Sequence, residues 1–212
     1  MNAKPFAVLT GDIVASSKIK GDDLLQIQNC LQRQLGWFHP EWLAGGPSFF
    51  RGDGWQLAVN QGNYALRIAL FSLCVFRANA AASRIAIGIG TVETLVPENI
   101  SISQGEAFTL SGHLLDQMEA IKVASRRPTL DLAVTPEDPY RSFAYRTAGA
   151  IVNSWKPQQA RLGLEILQGK NHDSIARDTG ISRNSISRSL TRMAWPHIEE
   201  LLILEESSAP TM

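Results

Sequence analysis

Residues 64–76, YALRIALFSLCVF, constrain this chain more than any other segment, because only Arg67 and Ser72 interrupt the apolar run. A helix of that composition is apolar on most sides, so it belongs between packed layers or against another subunit. It falls short of the roughly 20 residues that span a bilayer. The rest of the 212-residue chain must therefore cover it, and 44% hydrophobic against 19% charged residues is enough to bury a real core.

The flanking segments read as alternating strands and helices. Phe6 to Ile13 is an apolar run between Pro5 and the Ser16-Ser17 pair, a buried strand ending at Asp12. Leu24, Ile27, Leu31, Leu35 and Phe38 recur at steps of three and four, which marks one face of a helix. Trp37 to Pro47 reads as a loop. Two β-prone runs in SFFRGDGWQLAVN surround Gly52-Asp53-Gly54, chemistry suited to a tight hairpin turn. Ser83 to Ile89 alternates as a strand. Residues 91–104 read as irregular, with a short strand around Ile100. Ala107, Leu110, Leu114, Met118 and Ile121 predict a helix from about Gly105 to Lys122, its opposite face carrying Thr109, His113 and Gln117. Leu130 to Val134 predicts a strand, and Pro136-Glu-Asp-Pro139 is the strongest boundary signal in the chain. The order strand, helix, hairpin, helix, strand, helix, strand suits an α+β sandwich with an antiparallel hairpin inside the sheet.

Beyond the boundary a helix over residues 139–156 leads to a different module. In HDSIARDTGISRNSISRSLTRM, Ala176 is small where two helices would cross, Gly180 allows a left-handed turn, and Ile186 is an apolar anchor, with Ile175, Ile181 and Leu190 completing a small core. Ser182 is a natural N-cap, so Arg183, Asn184, Ser187 and Arg188 project from the first turns of the second helix. These side chains suit base edges and phosphates, and Arg192 ends the surface they form. The segment resembles the helix-turn-helix of bacterial regulators over about 40 residues, which implies a double-stranded DNA partner. A helix pair that binds protein through a solvated basic face is the plainer alternative. The acidic, apolar WPHIEELLILEE that follows reads as a packing or dimer element.

Charge agrees locally and not globally. Twenty Lys and Arg balance twenty Asp and Glu, which excludes a protein that coats nucleic acid or a membrane surface by net charge. From Lys156 to Arg192, however, seven basic residues face three acidic ones. The N-terminal MNAKPFAVLTGDIV lacks the features of a secretory signal, so a cytoplasmic location is expected. Cys30 and Cys74 form no metal knuckle or disulfide framework and read as small buried hydrophobes. The four histidines are scattered, Gly88-Ile-Gly90 lacks the third glycine of a dinucleotide fingerprint, and there is no phosphate loop.

Two aspartates draw attention by position, Asp12 at a strand end and Asp53 in the hairpin turn. On spacing alone they read as a loop cap and a turn residue. Together they are also the hard oxygen ligands that a Mg²⁺ ion carrying a nucleotide would need. TGDIVASSKI, FFRGDGWQLAV, RIAIGIGTV and GEAFTLSGHLLDQM resemble the successive motifs of class III nucleotidyl cyclases and their palm-fold relatives, and with the helix-turn-helix tail the chain is similar to SatD-like bacterial proteins. The resemblance implies a ferredoxin-like, palm (nucleotidyl cyclase-like) sandwich over residues 1–138, a connecting helix over 139–156, an all-α DNA-binding module over 157–206 and a disordered tail over 207–212. It further implies Mg²⁺ held by Asp12, Asp53 and the Ile13 carbonyl, with a nucleotide touched by Arg51, Thr109 and His113.

Departures from the cyclase pattern bear on chemistry. Phe49 stands where those enzymes carry a base-selecting lysine, and Thr109 and His113 stand where they present an amide and an arginine. Neither replacement supplies a permanently charged bidentate group to the transition state. The expectation is therefore a DNA-binding regulator whose N-terminal domain senses a nucleotide or dimerises. A metal-dependent nucleotidyl cyclase or phosphotransferase is the second reading, and a partner-binding protein that has lost both ligands is the third. A homodimer is expected, since operators are commonly two-fold symmetric and the 64–76 helix has more apolar surface than one small sheet needs.

Overall fold

The structure is a computed structural model that describes residues 5–121 and 127–207. Its first half runs β1 (Phe6–Ile13), α1 (Gly21–Leu35), β2 (Leu43–Phe50), β3 (Gly54–Val59), α2 (Ala65–Ala78), β4 (Ser83–Gly90), α3 (Glu106–Ala120) and β5 (Leu130–Val134). The second half is helical: α4 (Pro139–Ser154), α5 (Pro157–Leu167), α6 (His172–Thr179), α7 (Arg183–Arg192) and α8 (Trp195–Ser207). Together they make an α+β protein. The predicted end of the third helix at Lys122, and the tail from residue 208, lie outside the described residues; Ser207, predicted to open that tail, ends α8 instead.

Five strands form one mixed sheet in the order β2-β3-β1-β4-β5. β1 is central and antiparallel to both neighbours, while β5 lies parallel to β4 after the crossover through α3. Strand periodicity sorts the side chains of β1 between two cores. Ala7, Leu9 and Ile13 join the large core that holds α2. Val8 joins Ala58, Ile100, Ala107 and Phe108 under α3. α3 seats closely on its face: Thr10 and Ser111 share a buried 2.8 Å hydrogen bond, and Gly88 lets the α3 backbone approach, since a Cβ there would stand 2.3 Å from the Ala107 carbonyl oxygen.

The apolar run of α2 is explained by its surroundings. It packs on the sheet and is covered by α1, α4 and α5. Twelve of its fourteen residues are buried, so its surplus apolar surface is consumed inside one chain, and the reason for expecting a dimer through this helix disappears. α5 comes especially close because Gly163 faces it; a Cβ there would lie 3.0 Å from Cys74 Sγ and 2.6 Å from the Trp155 ring.

Hydrophobic packing continues without a break from the sheet through α4 and α5 to Ile175, Ile186, Trp195 and Leu202. Polar clamps reinforce the join. Arg141 and Tyr145 of α4 both bond the buried Glu205 carboxylate of α8, the tyrosine hydroxyl at 2.8 Å. Arg67 of α2 pairs with Glu206 and donates to the Leu167 carbonyl at 3.0 Å.

Three local expectations are corrected. The segment read as a loop up to Pro47 already contains the start of β2, which shifts register twice against β3 around its Gly45-Gly46 pair. Around Ile100 there is a single 3₁₀ turn in place of a strand. Ile181, expected in the core of the helix-turn-helix, is 45% exposed. Among the described residues no helix is long and apolar enough to cross a membrane.

Candidate functional site

α6 and α7 meet through a tight turn whose parts are all local. Gly180 closes α6 with φ 71°, its N–H donating to the Ala176 carbonyl at 3.0 Å. The left-handed conformation is costly for any residue with a Cβ, which is why glycine stands there. Asn171 caps the start of α6 on the Ser174 N–H at 2.8 Å, and Ser182 caps α7 on the Ser185 N–H at 3.3 Å. Ile186, Leu190 and Met193 turn one side of α7 inward.

The outward side of α7 carries Asn184, Ser187, Arg188 and Arg192, all exposed. None of their side chains has a hydrogen-bond or ion-pair partner among the described residues. Arg183 is also exposed but differs, since its Nε lies 2.7 Å and its Nη2 3.0 Å from the Asp173 carboxylate. That fork is occupied from within the chain. The structure therefore gathers the five residues picked from sequence on one exposed helix and distinguishes four that are free from one that is held.

The carboxylate edge of the sheet is organised differently. Asp12 is only 9% exposed and lies opposite Arg84 in the β1–β4 ladder. Arg84 Nε donates to Asp12 Oδ1 at 2.9 Å, and its Nη2 bonds both Asp12 Oδ2 and, at 2.8 Å, Glu119 Oε1 of α3. The hydrogen bond to Asp12 is the largest influence raising the Arg84 pKa above its already high ordinary value, and the nearby carboxylates of Glu119 and Asp53 act in the same direction. Asp53 sits in the β2–β3 turn, where Ser16 Oγ donates to its carboxylate at 2.6 Å and the Ile13 N–H to its carbonyl at 3.1 Å. Gln28 of α1 braces the same turn through the Gly52 carbonyl at 2.8 Å.

A divalent cation at this edge would have to compete with Arg84 for the Asp12 carboxylate. A metal ligand needs a carboxylate lone pair facing the ion, and one lone pair of each Asp12 oxygen already faces a guanidinium. Among the described residues no group of three or more His, Cys, Asp or Glu is placed to hold a metal. Arg84 and Glu119 escaped the sequence reading. Their signal was the register itself, because a basic residue in SRIAIG can face Asp12 only if β4 pairs antiparallel with β1.

Of the residues expected on a nucleotide, Thr109 and His113 stand one turn apart on α3, and Arg51 lies in the β2–β3 turn. Arg51 is exposed at the hairpin with φ 52°, a left-handed backbone. Thr109 and His113 are exposed on α3. Ten residues separate Thr109 from Glu119, a rise of roughly 15 Å along the helix, so Thr109 is far from the carboxylate edge. It lines a separate hollow walled by Gln56 and Glu106, and its hydroxyl donates to the Gly105 carbonyl at 3.3 Å.

Compared with protein-family models, curated proteins and solved structures, the chain has no match in any of the three.

Proposed function

We propose that this chain is a DNA-binding regulator in which α7 enters the major groove and the α+β domain is the platform that sets where α6 and α7 sit. One observation carries the reading: α7 is fixed from behind by Ile186, Leu190 and Met193, while Asn184, Ser187, Arg188 and Arg192 face outward with no side-chain partner among the described residues. Arginine can bond a guanine edge in two places and asparagine an adenine edge, whereas serine and the distal arginine suit phosphate. Two-fold operators pair such modules, so the working species in this proposal is a homodimer in the compartment that holds the chromosome, the cytoplasm.

The N-terminal domain reads as a ferredoxin-like, palm-type unit. The strand order β2-β3-β1-β4, with α1 and α2 packed on the same core, supports this, and β5 extends the edge. Its proposed role is sensing or dimerisation. Asp12 and Asp53 are engaged by Arg84 and Ser16, so the metal-dependent cyclase or phosphotransferase reading draws no support from their geometry and no step is assigned to it.

Selection from a random duplex pool, followed by fluorescence anisotropy over a range of salt, tests the proposal. The expected outcome is enrichment of related sequences and an affinity that falls with salt. Equal, weak binding to every duplex would overturn it.

A further inference from the structure

α6 packs chiefly against α7, and neither helix leans heavily on the sheet domain. Between them and the ends of α1 and α2 lies a cleft of about 680 Å³, within the usual range of small-molecule sites. Its floor is one face of α5, with Gln158 and Leu162. The platform side presents Cys30, Gln34 and Asn79. The opposite side presents Thr179 and Ser189 and the half-exposed Ile181 of the turn.

The lining chemistry limits the occupant. Arg161 and Glu165 are the charged groups on the walls, they are of opposite sign, and each is engaged: Arg161 donates to the Ala78 carbonyl at 3.3 Å, and Glu165 pairs with Lys170 at 2.5 Å. The Ala78 carbonyl is neutral, so Arg161 keeps its positive charge, whereas Glu165 is balanced by Lys170. The walls can therefore compensate one anionic group, and any further charge would be costly to bring in from water. The rest of the lining is a set of neutral amides and hydroxyls around aliphatic side chains.

We propose that this cleft is an effector site for a partly apolar molecule bearing carbonyl, amide or hydroxyl groups and at most one anionic group, which on binding bridges α1 and α2 to α6 and α7. It is distinct from the carboxylate edge, and its regulatory consequence rests on the DNA-reading function proposed above. A bound molecule adds direct contacts between α1–α2 and α6–α7, which the chain joins chiefly through α5 and α8, so it slows their relative motion and changes the orientation in which α7 is presented.

Cys30 provides the test. N-ethylmaleimide is an uncharged ring with two carbonyls and a short apolar tail, and its alkene adds the Cys30 sulfur while a proton goes to the adjacent carbon. Cys74 is fully buried, and burial pushes its thiol far up, so it stays unreactive. Hydrogen exchange on the labelled protein, without DNA, should show α6 and α7 amides slowed by at least about threefold. Full labelling at Cys30 with unchanged exchange overturns the proposal, as does a folded protein whose Cys30 resists the reagent while the unfolded chain accepts it. If the adduct unfolds the chain, Gln34→Trp takes its place, plugging the cleft from α1 with the same expected slowing. Anisotropy then separates the two ideas. Unlabelled protein that binds no duplex removes the DNA reading and leaves exchange to decide the cleft; protein that binds duplex with one Kd, labelled or not, overturns the coupling, for which about a tenfold difference is expected.

Discussion

Asp12 and Arg84 are directly opposed residues on neighbouring antiparallel strands, and their side chains meet in a two-point ion pair at the rim of the sheet. Arg84 also reaches Glu119 at the end of α3, so a single guanidinium joins β1, β4 and α3. The cation that the two acidic side chains require is built into the chain.

Removing it should be costly. Arg84→Ala leaves Asp12 buried without a counter-charge and next to Glu119, a loss of about 3 kcal/mol in urea unfolding. Adding Asp12→Asn to that variant should recover part of the loss, because the unpaired charge is gone. Two changes that simply sum would show that the pair is not coupled. Wild-type protein should show no Mg²⁺-dependent rise in Tm.

On DNA, Arg188→Ala and Asn184→Ala should each weaken binding to the selected duplex by about 1–3 kcal/mol and relax its sequence preference. Arg183→Ala should cost less, because Asp173 already holds that guanidinium. Arg192→Ala should lower affinity for all duplexes alike and reduce the salt slope by about one. Anisotropy titrations rank the four; Arg183 proving the most damaging would mean that DNA displaces Asp173.

Stability should fall at alkaline pH for a nameable reason. Burial holds the Tyr145 hydroxyl and the Cys74 thiol protonated in the folded chain beyond their ordinary ranges, and the Glu205 carboxylate adds to the effect at Tyr145. The unfolded chain therefore releases these protons first, and stability is retained below about pH 9 and lost as pH rises, each group contributing at most about 1.4 kcal/mol per pH unit. Tyr145→Phe should start lower, having lost its hydrogen bond to Glu205, and should flatten the curve above roughly pH 10. Cys74→Ala should flatten the earlier part. Denaturant midpoints against pH check both.

Gly163→Ala should destabilise by about 1–3 kcal/mol. The new methyl would press on Trp155, whose ring is pinned by an Nε1 hydrogen bond to the Met193 carbonyl at 3.0 Å and cannot swing aside. Calorimetry measures the loss, and weaker DNA binding at temperatures where the variant is still folded would indicate that α5 transmits the strain to α7.

Elements whose patterns are local were legible in the chain. β1 announced itself by a bounded apolar run, the hairpin by Gly-Asp-Gly, and the α6–α7 turn by Gly180 and Ser182 at their fixed offsets. What depends on tertiary pairing was not. Cys30 and Cys74 both read as buried hydrophobes, yet only Cys74 lies under α5; Cys30 is half-buried beside Asn79. Ile181 looked like core because it is apolar, but the turn carries it outward. Arg183 looked free because Asp173 lies ten residues away on another helix. The Arg84 pair needed the register of two strands seventy-two residues apart.

The central place of β1 has a consequence for the order in which the molecule can be made. Its partners β3 and β4 end at Val59 and Gly90, so the first strand to leave a ribosome keeps at least one edge unpaired until both have followed it. α2 waits longer, because α5, which closes over it, is complete only at Leu167. From Ala78 to Leu167 the most apolar helix of the chain thus lacks that cover, and the nascent protein passes through an interval in which it depends on whatever shields such surfaces in the cell.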